Sequence, residues 1–258
     1  MVHTKLIFAL TISVLSVSAV PVKEEASKEN KEHEAFSLEN MKEELPFPVK
    51  KIKHAALDPD GKVKVIDLKT MNQSSESYTG GDVMKDFNAG STFFYCTFDT
   101  RCTYLLNSPL NKDRYTWIIS YGSTPSDGTG PSVDLTYGSS LGNYAYAEAT
   151  GAQYFDTAFL YTKNKYTVFS EVICLEWGYH MYGADMGALG VYIYTPSDEN
   201  LQQVFYKDTN QGNIWRRYRL TVTSVDRAFQ VMFGALRGDG YKSDIALDDI
   251  RLSSGACE

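Results

Sequence analysis

The chain has 258 residues, a net charge of −7 and a pI near 5.2. Its basic residues are not concentrated in any patch, and Arg216-Arg217 is an isolated doublet of the kind found on strand surfaces. A nucleic-acid-binding role is therefore excluded, because such proteins need a basic footprint for the phosphate backbone. Beyond the N-terminus no apolar run approaches the length of about 18 residues that predicts a membrane span.

Residues 1–19 have the pattern of a secretory signal peptide. Lys5 precedes a short apolar stretch from Leu6 to Val17, and small residues stand just before the expected cleavage point after Ala19. The alternative is an uncleaved membrane anchor, which the short length of the apolar stretch disfavours. We therefore expect a secreted, extracellular protein.

Residues 20–85 differ in composition from the rest of the chain. The stretch from Lys23 to Leu45 contains eight Glu and four Lys, and Phe36 is its only aromatic residue. Such a composition buries too little apolar area to offset chain entropy, so we predict a largely disordered acidic pro-segment or stalk. A turn sequence at 58–61 predicts a marginal hairpin. Asn72 begins the only N-glycosylation sequon and predicts a glycoprotein.

Residues 86–258 are rich in aromatic and β-branched side chains. Apolar and polar residues alternate, or apolar runs recur between Gly- and Pro-rich turns, at 143–149, 189–194, 217–222, 229–236 and 245–252. No helical period is sustained in this region. The pattern predicts an all-β domain in which two antiparallel sheets form a sandwich around one core.

The run 244–250 places two adjacent aspartates inside an apolar strand. If the alternation is unbroken, Asp248 shares the inward face of the strand with Ile250, and Asp249 points the opposite way. An unpaired buried carboxylate costs several kcal/mol, so Asp248 must have a partner. A pair facing opposite ways does not suit the two-carboxylate chemistry of glycoside hydrolysis.

Other catalytic signatures are missing from the sequence. No metalloprotease motif, nucleophile elbow or phosphate-binding glycine loop occurs. His180 is the only histidine of 86–258, and its neighbours Tyr179 and Met181 indicate a partly buried structural residue. We expect a protein that is not an enzyme and has no organic cofactor.

The four cysteines are an even number, as expected for disulfides in a secreted chain; they are Cys96, Cys102, Cys174 and Cys257. Three pairings are possible. Cys96 and Cys102 are close in sequence and would close a small loop. A zinc site is disfavoured, because no Cys-x-x-Cys pair is present.

The order of several motifs in 94–257 resembles the MAM domain, the extracellular module of meprins, neuropilins and receptor protein tyrosine phosphatases. The matching elements are Phe94-x-Cys96-x-Phe98-Asp99, Cys102-x-Tyr104, Trp117, Gly130-Pro131-x-x-Asp134-x-Thr136, the central run from Cys174 to Val191, Trp215, Phe229-Gln230-Val231-x-Phe233 and the run from Asp244 to Ile250 with Cys257. Three positions depart from the family pattern: Asp99 replaces its usual Glu, Tyr104 its usual Trp, and Leu135 its usual His.

The resemblance implies a jelly-roll sandwich with disulfides between the first and second and between the third and fourth cysteines. It also implies adhesion or assembly, through an extracellular protein partner or a second copy of the chain in a homo-oligomer. Meprins carry a zinc protease domain that this chain lacks, so protease activity is not implied. No membrane span follows the module in this sequence, which favours a soluble role in the extracellular matrix. A glycan-binding, lectin-like module is the alternative, because jelly rolls often serve as lectins.

Three aspartates, Asp99, Asp134 and Asp248, each follow or interrupt an apolar strand. If they converge in the fold, their hard oxygen ligands suit one structural Ca²⁺ ion. The alternative is that they are three unrelated acids at turns. The sequence leaves both interpretations open.

Overall fold

A computed structural model describes residues 51–54, 65–67, 92–109, 115–163, 171–225 and 228–257. Within these ranges every regular element is a β-strand, as the alternating pattern predicts. The strands are β1 Lys51–His54, β2 Val65–Asp67, β3 Thr92–Cys96, β4 Leu105–Asn107, β5 Trp117–Tyr121, β6 Asn143–Ala147, β7 Thr157–Thr162, β8 Glu171–Met181, β9 Ala188–Thr195, β10 Asn200–Asp208, β11 Arg216–Val225, β12 Gln230–Leu236 and β13 Ile245–Ser254.

The described strands form two facing sheets. The six-stranded sheet has the order β1-β10-β9-β12-β7-β4, and the seven-stranded sheet has the order β2-β11-β8-β13-β6-β5 with β3 also paired to β13. Pairing is antiparallel except where β1 meets β10 and β2 meets β11. The two sheets enclose one large apolar core, so the predicted all-β jelly-roll sandwich is confirmed.

The core is built from the inward residues of both sheets. Trp177 on β8 packs edge-on against Phe205 on β10 and Phe233 on β12, with ring centroids 5.2 and 6.0 Å apart. Trp117 on β5 reaches across the sandwich, and its indole N–H donates to the carbonyl of Ala158 on β7 at 3.0 Å. Large aromatic side chains thus join the two sheets, and contacts of this kind dominate the energetics of a core.

Two short strands extend the sandwich beyond the predicted domain boundary at residue 86. Strand β1 pairs with β10 at one edge of the six-stranded sheet, and β2 pairs with β11 at an edge of the seven-stranded sheet. The two strands therefore lie in different sheets, and the hairpin predicted around residues 58–61 lies outside the described residues. Residues 1–50, including the predicted signal peptide, and the predicted glycosylation site Asn72 lie outside the described residues.

Candidate functional site

Strand β13 changes its pairing partner at Asp248 and Asp249. Its first part pairs with β6, its second part pairs with β3, and β8 runs along its other side. The register with β8 shifts between Asp248 and Arg251, and Asp249 has a left-handed φ of 51°. This is a β-bulge, in which one extra residue on β13 resets which side chains face the core.

The bulge overturns the predicted facing of the two aspartates. Ile250 and Leu252 lie in the core as predicted, but Leu247 does too, whereas Ala246 packs in a cluster outside it. Unbroken alternation was therefore the wrong assumption. Both aspartates instead contact the same residue, Thr136, and do not point to opposite faces.

Asp248 is fully buried, as predicted, and its hydrogen-bond donors come from the loop after β5 and from the next residue of β13. Its Oδ2 accepts hydrogen bonds from the N–H groups of Leu135 at 2.9 Å and Thr136 at 3.2 Å. Its Oδ1 accepts one from the N–H of Asp249 at 2.8 Å. Burial raises the pKa of this carboxyl to about 7, and the hydrogen bonds from Leu135 and Asp249 oppose that rise.

Asp249 collects three side-chain partners. Its Oδ1 accepts hydrogen bonds from the hydroxyls of Thr136 at 2.6 Å and Tyr95 at 2.7 Å, and its Oδ2 forms an ion pair with Arg217 at 2.5 Å. Burial of the Tyr95 hydroxyl, together with the neighbouring carboxylate, raises the pKa of Tyr95 to about 12. We call Tyr95, Thr136, Arg217, Asp248 and Asp249 the Asp248 cluster.

Two glycines allow the loop to approach the sheet. A Cβ atom at Gly178, which lies opposite Asp248 on β8, would collide with the side chain of Leu135. A Cβ atom at Gly142 would collide with the carboxylate of Asp134. The close approach brings the N–H groups of Leu135 and Thr136 within hydrogen-bonding distance of Asp248 and so satisfies the buried charge.

The other two predicted cation ligands are held by the backbone as well. Asp134 accepts hydrogen bonds from the N–H groups of Tyr137 at 2.8 Å and Ser139 at 2.7 Å. Asp99 accepts one through Oδ1 from the N–H of Asn143 at 2.8 Å, whereas its buried Oδ2 has no hydrogen-bond partner among the described residues.

Among the oxygens of these three aspartates, only Oδ2 of Asp99 has no hydrogen-bond partner within the described residues. Nowhere in the described ranges are three or more His, Cys, Asp or Glu side chains placed to hold a metal. The donor set therefore does not fit a site of three carboxylates, and the Ca²⁺ ion stays a prediction.

The cysteines form the two predicted disulfides. Cys96 at the end of β3 is bonded to Cys102, and Cys174 on β8 is bonded to Cys257 after β13, with Cα atoms 5.7 and 4.9 Å apart. The first bond closes a short loop beside β4, and the second ties the end of the chain to the seven-stranded sheet. Both pairings implied by the resemblance are confirmed.

His180 is buried, as its neighbours predicted. Its Nε2 lies 3.1 Å from Oδ1 of Asn213, and its ring packs against Trp215. Burial lowers the pKa of His180 to about 4, so the ring is neutral at physiological pH. A neutral, buried ring that contacts no nucleophile has a structural role.

An exposed apolar surface on β5 was not predicted from the sequence. Three side chains of β5 are exposed, namely Ile118, Ile119 and Tyr121, and so is Leu141. Leu141 lies near the end of β5, because the carbonyl of the preceding residue, Ser140, would be 3.5 Å from a Cβ atom at Gly122. We call Ile118, Ile119, Tyr121 and Leu141 the β5 edge. The sequence signal that could have found it is the run 115–126, which contains no Asp, Glu, Lys or Arg.

A family model matches the part of the chain that holds these strands and both disulfides. The model of the MAM domain (meprin/A5/mu) matches residues 96–258. The chain belongs to the MAM domain family. The family assignment agrees with the resemblance noted in the sequence.

Curated relatives carry the same module. Human MAM domain-containing protein 2 is 35% identical over 163 residues, which cover 63% of this chain and 23% of that protein. Mouse MAM domain-containing glycosylphosphatidylinositol anchor protein 2 is 28% identical over 177 residues, which cover 64% of this chain and 18% of that protein. The chain thus spans less than a quarter of the length of the curated relatives it matches.

Solved structures with a similar arrangement have low sequence identity. The K1 cleaved adhesin domain of Lys-gingipain from Porphyromonas gingivalis W83 has a TM-score of 0.44 and 13% identity, covering 64% of this chain and 99% of that one. The CBM22-1 xylan-binding domain from Paenibacillus barcinonensis Xyn10C has a TM-score of 0.43 and 9% identity, covering 67% of this chain and 100% of that one. Within the described residues, no helix is long and apolar enough to cross a membrane.

Proposed function

We propose that this MAM-domain protein is a secreted, non-enzymatic extracellular module that binds protein partners and associates with itself. The observation that carries the proposal is the match to the MAM family over residues 96–258. Extracellular location is supported by the signal-like pattern of residues 1–19 and by the two disulfides, since such bonds persist in oxidising compartments.

The chemistry of the described residues supports binding over catalysis. Asp248 has the raised pKa that often marks a catalytic group. A catalytic carboxyl must, however, reach a substrate, and this one is fully buried with both oxygens committed to backbone donors. His180 is buried and neutral, and all four cysteines are in disulfides.

Sedimentation velocity of the oxidised, glycosylated protein across micromolar concentrations tests self-association. We expect the weight-average sedimentation coefficient to rise with concentration toward that of a dimer. A strict monomer at every concentration would contradict self-association and leave a different protein as the partner.

The glycan-binding alternative is tested separately with a glycan array. We expect no binding above that of an unrelated disulfide-bonded β-sandwich. Saturable binding to one class of glycan, by a protein that stays monomeric, would favour the lectin-like function over the one proposed.

A further inference from the structure

The β5 edge is an open sheet edge with exposed apolar side chains. Among the described residues, β5 pairs only with β6, and no strand pairs with its other side, where only the Asn107 side chain of β4 bonds to the β5 backbone. Ile119 is 55% exposed, Tyr121 is 64% exposed and the neighbouring Leu141 is 82% exposed. An exposed apolar edge strand is a template for pairing with another chain.

The direction of the backbone hydrogen bonds along β5 shows which N–H and C=O groups can bond to an added strand. The N–H and C=O of Trp117 both bond to the side-chain amide of Asn107 on β4, at 3.1 and 2.8 Å, so they point away from β6. Outward-pointing groups recur at every second residue of an antiparallel strand, and the register with β6 is unbroken. Ile119 and Tyr121 therefore present their backbone groups to the open side.

A cleft lies next to these groups. It has a volume of about 270 Å³ and opens beside Ile119, between β4 and β5. Its lining is mainly apolar and includes Phe98, Leu105 and Leu160, while Arg101 is its one charged residue. An added strand would thus find both backbone partners and an apolar recess for a side chain.

We propose that the β5 edge pairs antiparallel with the β5 edge of a second copy, about a twofold axis at Ser120. Ile119 of one copy then lies opposite Tyr121 of the other, and each such pair exchanges two backbone hydrogen bonds. The contact is self-complementary, as a twofold dimer requires. This inference rests on the proposed self-association and assigns it a surface.

Charge identifies a second copy as the occupant. The chain carries a net charge of −7, so two copies repel each other over most of their surfaces, but residues 115–126 contain no charged side chain. Edge strands that must stay unpaired usually carry charges, especially Lys, and β5 has none. Two copies can therefore meet along this run without bringing like charges of β5 together.

The N-terminal segment of the same chain fits this edge less well. Its described strands β1 and β2 occupy the opposite edges of the two sheets, beside β10 and β11. The stretch from Lys23 to Leu45, with eight Glu and four Lys, does not match an uncharged apolar edge. Two strands of the segment are thus already placed elsewhere, which leaves the β5 edge to a second copy.

Hydrogen exchange of the full chain at low and high concentration tests which occupant covers the edge. We expect the amides of Ile119 and Tyr121 to become protected as concentration rises. Protection that is the same at all concentrations would assign the edge to a segment of the same chain and overturn the proposal. An absence of protection at every concentration would also overturn it.

Two lysine variants with matched exposure test the contact. Ile119→Lys should weaken dimerisation by more than about tenfold, because an ammonium group would be buried in the contact without a partner. Ile214→Lys is the control, since Ile214 is 56% exposed and lies before β11. If the wild type dimerises and Ile119→Lys dimerises equally well, the edge assignment fails while self-association stands. A monomeric wild type overturns both.

A cysteine variant tests the register. Ser120→Cys places the thiols of the two copies opposite each other across the twofold axis. The two residues form a non-hydrogen-bonded pair, in which the Cα atoms are about 4.5 Å apart. This distance is short enough for a disulfide. We expect a disulfide-linked dimer, confirmed by peptide mapping. Ser123→Cys, also exposed, is the control and should cross-link much less. Equal cross-linking of the two variants would contradict the register.

Discussion

The Asp248 cluster and the β5 edge belong to the same sheet but differ in how their polar groups are paired. In the cluster, both oxygens of Asp248 accept hydrogen bonds from backbone N–H groups, and Asp249 accepts from two hydroxyls and an arginine. On the β5 edge, backbone groups of Ile119 and Tyr121 face outward beside exposed apolar side chains.

The difference in how the polar groups are paired indicates which of the two regions can bind a partner. The paired aspartates are the most conspicuous motif in the sequence, yet their bonding capacity is used within the fold. The uncharged run that contains β5 is inconspicuous, yet it has bonding capacity left for a partner. We therefore propose that the Asp248 cluster stabilises the fold and that the β5 edge contacts the second copy.

The largest effect is expected for Asp248→Ala. This change leaves buried N–H groups of Leu135, Thr136 and Asp249 without their acceptor, and should lower the free energy of unfolding by about 3 kcal/mol. Urea denaturation of the oxidised protein at neutral pH measures it. Asp127→Ala, at an exposed loop position, is the control and should change stability by less than about 0.5 kcal/mol. Equal unfolding midpoints would show that the cluster does not stabilise the fold.

A second effect is a pH dependence of stability. Because burial raises the pKa of Asp248 from its usual 3.8 to about 7, the folded state binds this proton more tightly than the unfolded state does. Stability should therefore fall as pH rises from about 4 to about 7. His180, whose pKa is lowered to about 4, opposes the trend below about pH 6.5.

Asp248→Asn isolates the carboxyl in this pH experiment. Urea midpoints measured in EDTA between pH 4 and 8 should show a smaller loss of stability with rising pH for the variant than for the wild type. Parallel curves for the two proteins would mean that Asp248 has an ordinary pKa in the folded state.

A smaller effect is expected from removing the residues before Phe87. The sequence composition predicted that this segment contributes little to folding, but β1 and β2 pair with β10 and β11. Truncation should lower the melting temperature by about 5 °C, equivalent to about 1–2 kcal/mol for a domain of this size. An unchanged melting temperature would show that the pairing of β1 and β2 does not stabilise the sandwich, as expected if residues 20–85 are largely disordered.

The smallest effect is expected from Ca²⁺. Because the described side chains form no cluster of three metal ligands, any binding should be weak, and Ca²⁺ at a concentration near its dissociation constant stabilises by only about 0.4 kcal/mol. Differential scanning calorimetry with Ca²⁺ and with EDTA measures the shift, and Asp99→Asn should abolish it. If wild type melts at the same temperature in both buffers, the predicted cation does not bind.

Much of the fold could be predicted because its signals are local. The period-two alternation of residues 143–149 and 189–194 coincides with β6 and β9, since successive side chains of a strand point to opposite faces. Both faces of β9 are buried, in different apolar clusters. The four cysteines could be recognised as disulfide-forming from their even number, and the resemblance to the MAM domain implied their pairing. These features depend on residue type and spacing, which the sequence states directly.

The remaining features depend on backbone geometry and distant partners. The bulge at Asp249 requires a left-handed φ that no residue type signals by itself, so alternation gave the wrong face for Asp248. Composition suggested disorder around β1 and β2, because their pairing with β10 and β11 involves residues far away in the chain. The open side of β5 likewise appears only when the strand order is known.

The central claim is that one region stabilises the fold while the other makes the contact. It is tested most directly by measuring the free energy of unfolding and the dimer dissociation constant for Asp248→Asn and Ile119→Lys in one buffer. We expect Asp248→Asn to have a lower free energy of unfolding than the wild type and an unchanged dimer dissociation constant. We expect Ile119→Lys to have the free energy of unfolding of the wild type and dimerisation that is weakened more than about tenfold. The reverse pattern, or dimerisation lost equally in both variants, would contradict it.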